Sequence, residues 1–329
     1  MTAELSKGGW SAPWSAIAIL VLFLLPWLSC SEKKAPTTDS ETATSGTLEV
    51  VADEELRPAI DSMIVGFMQE NPNAKLTARY VTSGEAIQEL LAQRARLIII
   101  SRGLTEEARS LLAQNKLELP ELELAEDALG VIVRADNPVE AIAMSDIKRI
   151  VRGEATHWSD LRHSISRQGT PLGSETIVRF LAPISSSSEW LLDSLSLEKG
   201  ALQQGSIKRF ASTDSLLRSS RMEAGSISFI GSSWAQRLLL SGDSSLKVIP
   251  VIPADSSVRG VTKPIMLHMF YVYQGLYPLT LRVNGYTFEV PNTLPRGFLV
   301  YASTFHGQTV FKNHEVLPRT QHLKFSPPK

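Results

Sequence analysis

Cysteine is nearly absent from this chain: Cys30 is the only one in 329 residues. With Cys30 set aside, the globular part has no route to a disulfide, a thiolate nucleophile or a cysteine metal site, and size must supply its stability. Charge of one sign is lacking too. Thirty-three basic residues stand against thirty-four acidic ones, so composition gives no support to a nucleic-acid partner and any electrostatic argument must be local. The six histidines (His157, His163, His268, His306, His314 and His322) show no H-x-x-x-H or H-E-x-x-H spacing, which removes the usual zinc patterns. The serine-rich run APISSSS has no G-x-S-x-G elbow, and no His or Asp can be assigned to it. No repeat of 20 to 50 residues is visible. Catalytic and zinc-site readings therefore have little support, and no cofactor is expected.

A hydrophobic run of membrane-spanning length is missing as well. Ala12 to Leu28 is apolar but short of the ~20 residues a spanning helix needs, and Pro13 and Pro26 interrupt it. Preceded by Lys7 and followed at once by Ser29 and Cys30, it reads as a secretory h-region. The segment resembles a bacterial lipoprotein signal, in which the cysteine becomes the lipidated first residue. Residues 1–29 are then a signal peptide, Cys30 the lipidation site, and residues 30–46, without a large apolar side chain, a flexible tether. An uncleaved membrane anchor is the alternative. Both place the rest of the chain outside the cytoplasm.

What is present, at 43% hydrophobic and 20% charged residues, is a globular composition long enough for two domains. From Thr47 strands and helices alternate. Leu48 to Ala52 reads as a strand, Glu54 to Glu70 as a helix with Asp53 as N-cap, Lys75 to Val81 as a second strand and Glu85 to Ala92 as a second helix. Leu97 to Ile100 is a β-branched run of the kind buried on both faces of a parallel sheet. A βαβαβ order follows. Leu119 to Arg134 is extended; Ser145 is expected to cap a helix stopped at Gly153, and Trp158 to pack in a core. Thr176 to Leu181 and Ile227 to Ile230 read as strands. Helices are expected over Glu189 to Leu197, from Ser212-Thr213-Asp214 to Met222, and after Ser232 or Ser233. Met266 to Tyr273 reads as strand-like, Leu294 to Ala302 and Thr304 to Phe311 as helices, and a short strand closes the chain near Val316.

Three polar loops each follow a strand and precede a helix: Thr82-Ser83-Gly84, Ser101-Arg102-Gly103 and Ser185 to Ser188. Hydroxyls and free N–H groups at a helix start are the fittings a small oxyanion needs. Arg102 and Arg179 add fork-shaped positive charge. Asp53-Glu54-Glu55 reads as an N-cap with an acidic first turn, needing no chemistry.

TSGEAIQELL and LIIISRGLTEEA, followed by DALGVIVRADNP, IKRIVRGEATHWSDL, MEAGSISFIG and GLYPLTLRVNGY, keep the order and spacing found in one family. The chain resembles the phosphate-binding periplasmic substrate-binding proteins, the lipoprotein receptors of phosphate ABC transporters. The resemblance implies an α/β, two-lobed type 2 periplasmic binding protein fold, each lobe a mostly parallel sheet flanked by helices, with two crossover strands between them. Residues 47–125 and 247–329 would form lobe 1, and residues 126–246 lobe 2. It implies ligand contacts at Ser83, Gly84, Ser101, Arg102, Arg179, Ser186, Ser187 and Ser188. The ligand would be phosphate or a related oxyanion, the partner an ABC permease, and the working form a monomer. Two departures stand out: Asp53-Glu54-Glu55 replaces the family's small first turn, and APISSSS lacks the glycine of its Ser-Gly-Thr turn. The acidic turn leaves room for a cationic or zwitterionic solute, or for a sensor or envelope-assembly role without transport; a hydrolase using an APISSSS serine is a remote alternative.

Overall fold

Strand β1 (Gly46–Asp53) pairs in parallel with β2 (Ala74–Val81) and β3 (Ile98–Ile100), as the βαβαβ order predicts. The structure is a computed structural model describing residues 41–182, 184–195, 202, 207–253 and 263–320. The signal segment, Cys30, most of the tether and the expected end of the Glu189 to Leu197 helix lie outside the described residues. No helix among the described residues is long and apolar enough to cross a membrane.

The crossovers are α1 (Arg57–Glu70) and α2 (Ser83–Leu91), with α3 (Glu106–Gln114) following β3. The helix expected from Glu54 starts as a 3-10 turn over Glu54–Leu56. Pro58 lacks an N–H and fits the first turn of a helix, so α1 proper begins beside it. β3 shows why an unbroken apolar run is needed here. Ile99 packs with Leu48, Val50 and Phe67 on one face, while Ile98 and Ile100 pack with Ile87, Leu90 and Tyr286 on the other.

The spine is β4 (Leu122–Arg134), thirteen residues long and buried over most of its length. The middle of the chain adds β5 (Val139–Ala143), α4 (Met144–Val151), β6 (Ile165–Ser166), β7 (Val178–Leu181), α5 (Ser187–Ser194), β8 (Ile207–Arg209), α6 (Thr213–Ser220), β9 (Ser226–Gly231), α7 (Ser232–Leu240), β10 (Leu246–Ile249) and β11 (Val251–Ile252). The tail adds α8 (Met269–Tyr273), β12 (Thr280–Tyr286), α9 (Leu294–Ser303), α10 (Phe305–Asn313) and β13 (Leu317–Pro318). In the main sheet the order is β2-β1-β3-β12-β4-β9-β7-β8, with β10 and β13 also on β4; β11-β5-β6 form a small second sheet. Parallel blocks at each end (β2-β1-β3 and β9-β7-β8) are joined through antiparallel β12 and β4. This is the mixed α/β, type 2 binding-protein architecture.

Three local expectations change. Met269–Tyr273 is helical rather than extended: His268 Nδ1 accepts from the Phe270 N–H at 3.1 Å, and Gly275 takes the left-handed conformation that ends a helix. Ser145 lies inside α4, because β5 runs straight into it and Ala143 takes the N-cap position. Neither Ser232 nor Ser233 caps α7; Gly231 occupies that position and the cap comes from a distant carboxylate. Gly153 does close α4 with a left-handed φ, and Trp158 is buried in the core.

Asp146 holds the loop after α4. It is fully buried and accepts N–H bonds from Arg162, His163 and Ser164 at 3.1, 2.8 and 2.9 Å, plus the Ser164 hydroxyl at 2.8 Å. Burial pushes its pKa up, yet the N–H groups of His163 and Arg162 outweigh that and leave it below the usual value. Its stabilisation is therefore lost as pH falls through the acid range. Asp146→Ala removes the common acceptor of three N–H groups and a hydroxyl and is expected to cost about 3 kcal/mol in urea unfolding at neutral pH.

Candidate functional site

β1, β2 and β3 end at one edge, with Asp53 opposite Val81 and Ala52 opposite Ile99. β7, β8 and β9 end facing the same region. Six strands thus deliver six polar turns to one place, the carboxyl edge where open α/β sheets bind ligands. At its centre are the three carboxylates of the turn after β1.

Together the three carboxyl groups dock on the starts of three helices, α2, α5 and α6. Asp53, 1% exposed, caps its own turn through the Glu55 N–H at 3.2 Å. Its Oδ2 accepts from the Ser83 hydroxyl of α2 at 2.5 Å and from the Ser187 hydroxyl of α5. Glu55 Oε2 accepts from the Ser188 N–H of α5 at 2.9 Å. Glu54 accepts from the Thr213 N–H of α6 at 3.2 Å and from the Thr213 hydroxyl at 2.7 Å. The main chain of the turn is gripped too, because the Trp234 indole N–H of α7 donates to the Glu54 carbonyl at 3.2 Å. A fourth carboxylate repeats the pattern: Asp127 of β4 accepts from the Ser232 N–H of α7 at 3.0 Å and from the Ala128 N–H at 2.8 Å. Helix starts expose unsatisfied N–H groups and partial positive charge, so carboxylates are stable there.

Burial of this much acid moves its titration. Glu54 is pushed up to about 7, chiefly by burial, which the Thr213 bonds only partly offset. Asp127 rises to about 6 for the same reason. Glu55 is driven well above the usual carboxylate range by burial and then by the charge of Asp53. Glu55 Oε1 and Asp127 Oδ2 are buried without a hydrogen-bond partner. Among the described residues, no group of three or more His, Cys, Asp or Glu is placed to hold a metal ion.

Of the residues singled out in the sequence, most meet here. Ser83 and Ser187 bind Asp53, Ser188 binds Glu55, and Ser186 is the N-cap of α5 through the Glu189 N–H. Gly84 donates its N–H to the Ser185 carbonyl at 2.9 Å, and a Cβ on Gly84 would lie 2.5 Å from Ser185 Cβ and 3.3 Å from Arg102 Nη2. A side chain at position 84 would therefore collide with the facing loop. Ser185 takes a left-handed φ of 68°, a conformation that favours glycine. The Glu189 carboxylate holds that conformation through the Ser185 N–H at 2.5 Å, and also binds Arg209 at 2.6 Å.

Arg102 is 6% exposed, and its guanidinium has no hydrogen bond or ion pair among the described residues, with Nε fully buried. Burial lowers its pKa while the charge of Asp53 opposes that shift. The Ser101 hydroxyl beside it is also buried and unpartnered. Arg179 is elsewhere. Its Nη1 donates to the Val151 carbonyl at the end of α4, at 2.8 Å, and the side chain lines a separate small cavity with Ile150 and Thr156. Burial and the neighbouring Arg209 charge lower it to about 10. Thr213, Trp234, Asp127 and Glu189 belong to the site although sequence reasoning did not place them there.

A cavity of about 220 Å³ opens beside the cluster, bounded by Asp53, Glu54, Glu55, Glu85, Arg57 and Tyr80. The Arg57 guanidinium stacks over the Tyr80 ring at 4.7 Å and lies 3.8 Å from Glu54.

A family model for the PBP superfamily domain matches residues 37–303. The chain belongs to the PBP superfamily. No curated protein matches it. Among solved structures, this superfamily member is similar to a protein from Clostridium perfringens with bound phosphate, assigned as a phosphate ABC transporter substrate-binding protein. They share 16% identity and a TM-score of 0.67, over 83% of this chain and 100% of that one. An ABC-type phosphate transport receptor from Vibrio cholerae matches at 16% identity and TM-score 0.58, over 83% and 100%. A regulatory domain from Synechocystis in complex with 2-PG matches at 13% identity and TM-score 0.50, over 78% and 95%. At such identities the likeness is one of fold, and the fold serves both receptors and regulators.

Proposed function

We propose that this PBP superfamily member is an extracytoplasmic, lipid-anchored solute-binding protein that captures a small oxyanion between two lobes, residues 47–125 with 247–329 and residues 126–246, for an ABC permease. The observation that carries the reading is the convergence of the α2, α5 and α6 starts on one buried polar cluster, with the Arg102 guanidinium lying against Gly84 at the α2 start. N–H groups, hydroxyls and a guanidinium are the donors an oxyanion requires. Ser83, Gly84, Ser101, Arg102, Ser187 and Ser188 are the proposed contacts; Ser186 shapes the α5 start, and Arg179 braces α4. Titration of the full chain with phosphate tests the reading. Heat release and thermal stabilisation at millimolar phosphate are expected, and neither appearing would overturn it.

A second reading has its own observation. Four of the side chains around the 220 Å³ cavity are acidic and only Arg57 is basic, a balance suited to a small amine or zwitterion. Titration with an amino-acid set, run beside phosphate, separates the two.

A further inference from the structure

The acidic turn is the feature that neither the fold nor an oxyanion receptor calls for. A like charge about 5 Å from a dianion is repulsive by several-fold to hundredfold in affinity even under strong screening, so three carboxylates in the binding region need their own explanation. Their partners supply it. The turn belongs to the β1 edge, yet its oxygens bond to Ser187 and Ser188 of α5 and to Thr213 of α6, elements 133 to 159 residues away in sequence for Glu55 and Glu54. One oxygen of Asp53 also bridges the two sides, taking the hydroxyls of both Ser83 and Ser187.

We infer that Asp53-Glu54-Glu55 is a resident ligand: its carboxyl groups fill the helix-start sites a solute oxyanion would take, latching α5 and α6 to the β1 edge. The inference rests on the solute-binding reading, and it adds how that site is controlled. A solute binds by displacing the turn. Arg102 gives the displacement a driving force. The carboxylates satisfy the N–H and hydroxyl donors, but leave this guanidinium buried and without a hydrogen bond, whereas a tetrahedral oxyanion carries enough oxygens for the helix starts and Arg102 together. Gly84 keeps the two sides close enough for this, since its N–H already bonds the Ser185 carbonyl. Solute affinity and lobe closure are thereby uncoupled. A receptor without such a turn closes on its ligand, and this one is closed by its own chain until a ligand competes.

Hydrogen exchange at the α5 and α6 starts tests this in the full chain, in buffer free of oxyanions. The Ser188 and Thr213 amides of the wild type are expected to be protected without solute and unchanged by millimolar phosphate. In Asp53→Ser/Glu54→Ser/Glu55→Thr they should exchange roughly ten- to hundredfold faster, the loss of charge-assisted bonds, and phosphate should restore their protection. Protected amides at Ile98 to Ile100 in both proteins show that the variant is folded, and the near-isosteric Glu54→Gln/Glu55→Gln provides a second test if it is not. Wild-type amides that exchange as fast as the variant's would overturn the latch even if the variant binds phosphate. Fast exchange in the variant that phosphate fails to slow would keep the latch and overturn the oxyanion reading instead.

Discussion

Replacing Arg102 by methionine should lower phosphate affinity at least 100-fold while leaving the thermal midpoint unchanged or raised. The asymmetry follows from burial without a partner. At 6% exposure and with no hydrogen bond among the described residues, the guanidinium is largely desolvated and is offset only through space, by Asp53 first and then Glu189. Exchanging a poorly compensated buried charge for an apolar side chain of similar length is neutral or stabilising by roughly 1–4 kcal/mol. The bound oxyanion, in contrast, loses its one full positive charge and a two-point contact, and a hundredfold loss corresponds to about 2.7 kcal/mol. Calorimetry in the wild-type and acidic-turn-free backgrounds, paired with thermal unfolding, measures both sides. Arg102→Lys keeps the charge but not the fork and should fall between. Undiminished phosphate binding by Arg102→Met would remove the residue from the site.

Stability should fall as pH rises from about 4.5 to about 7, contrary to the usual behaviour of acidic side chains. Glu54 is pushed up to about 7 and Asp127 to about 6 in the folded protein. Between their unfolded and folded values the native state binds more protons than the unfolded chain, so raising pH across that window favours unfolding. Each group carries roughly 3 kcal/mol at most. Facing Glu54 are Arg57, Asp53 and the Thr213 donors; facing Asp127 are Asp53 and the start of α7. Other groups set the acid limb. Asp146, Asp160 and Asp243 sit below their ordinary values and lose their contribution on acidification, and half-buried His314 resists protonation. A stability maximum near pH 5 is expected in thermal unfolding across pH 4 to 8. Glu54→Gln and Asp127→Asn should each flatten the decline above it; an unchanged slope in both would place the titration elsewhere.

Local features of this site were legible in the sequence, and its long-range bonds were not. Ser212 caps the helix expected from it, and Thr82, Thr105 and Ser186 cap the helices that follow them, because a cap is decided within three or four residues. The βαβαβ start was readable from periodicity for the same reason. Asp53 does cap its own turn, but nothing local shows that Glu54 and Glu55 cap helices more than 130 residues away. Asp127 carries a signal of its own, a carboxylate that follows Glu126 into the otherwise apolar stretch LAEDALGVIV, where only a partner makes burial tolerable. Arg179 was assigned by its place in a motif. Its orientation depends on which face of β7 meets α4, and a four-residue strand does not reveal that.

The position of β12 bears on the order in which the molecule can assemble. It lies between β3 and β4, with Arg282 opposite Glu126 and Gly285 opposite Ile99, so strands close in sequence wait for one from the far end. A chain emerging from its N-terminus can form the β1-β2-β3 block early, but β4 gains β12 and β13 only once residues 280–318 have appeared. Contacts of such separation are slow to form, since the intervening loop must be closed before they are made. Until then one edge of β3 and much of β4, both strongly apolar, stay open to unwanted pairing. Residues 280–318 therefore act as the clock for folding.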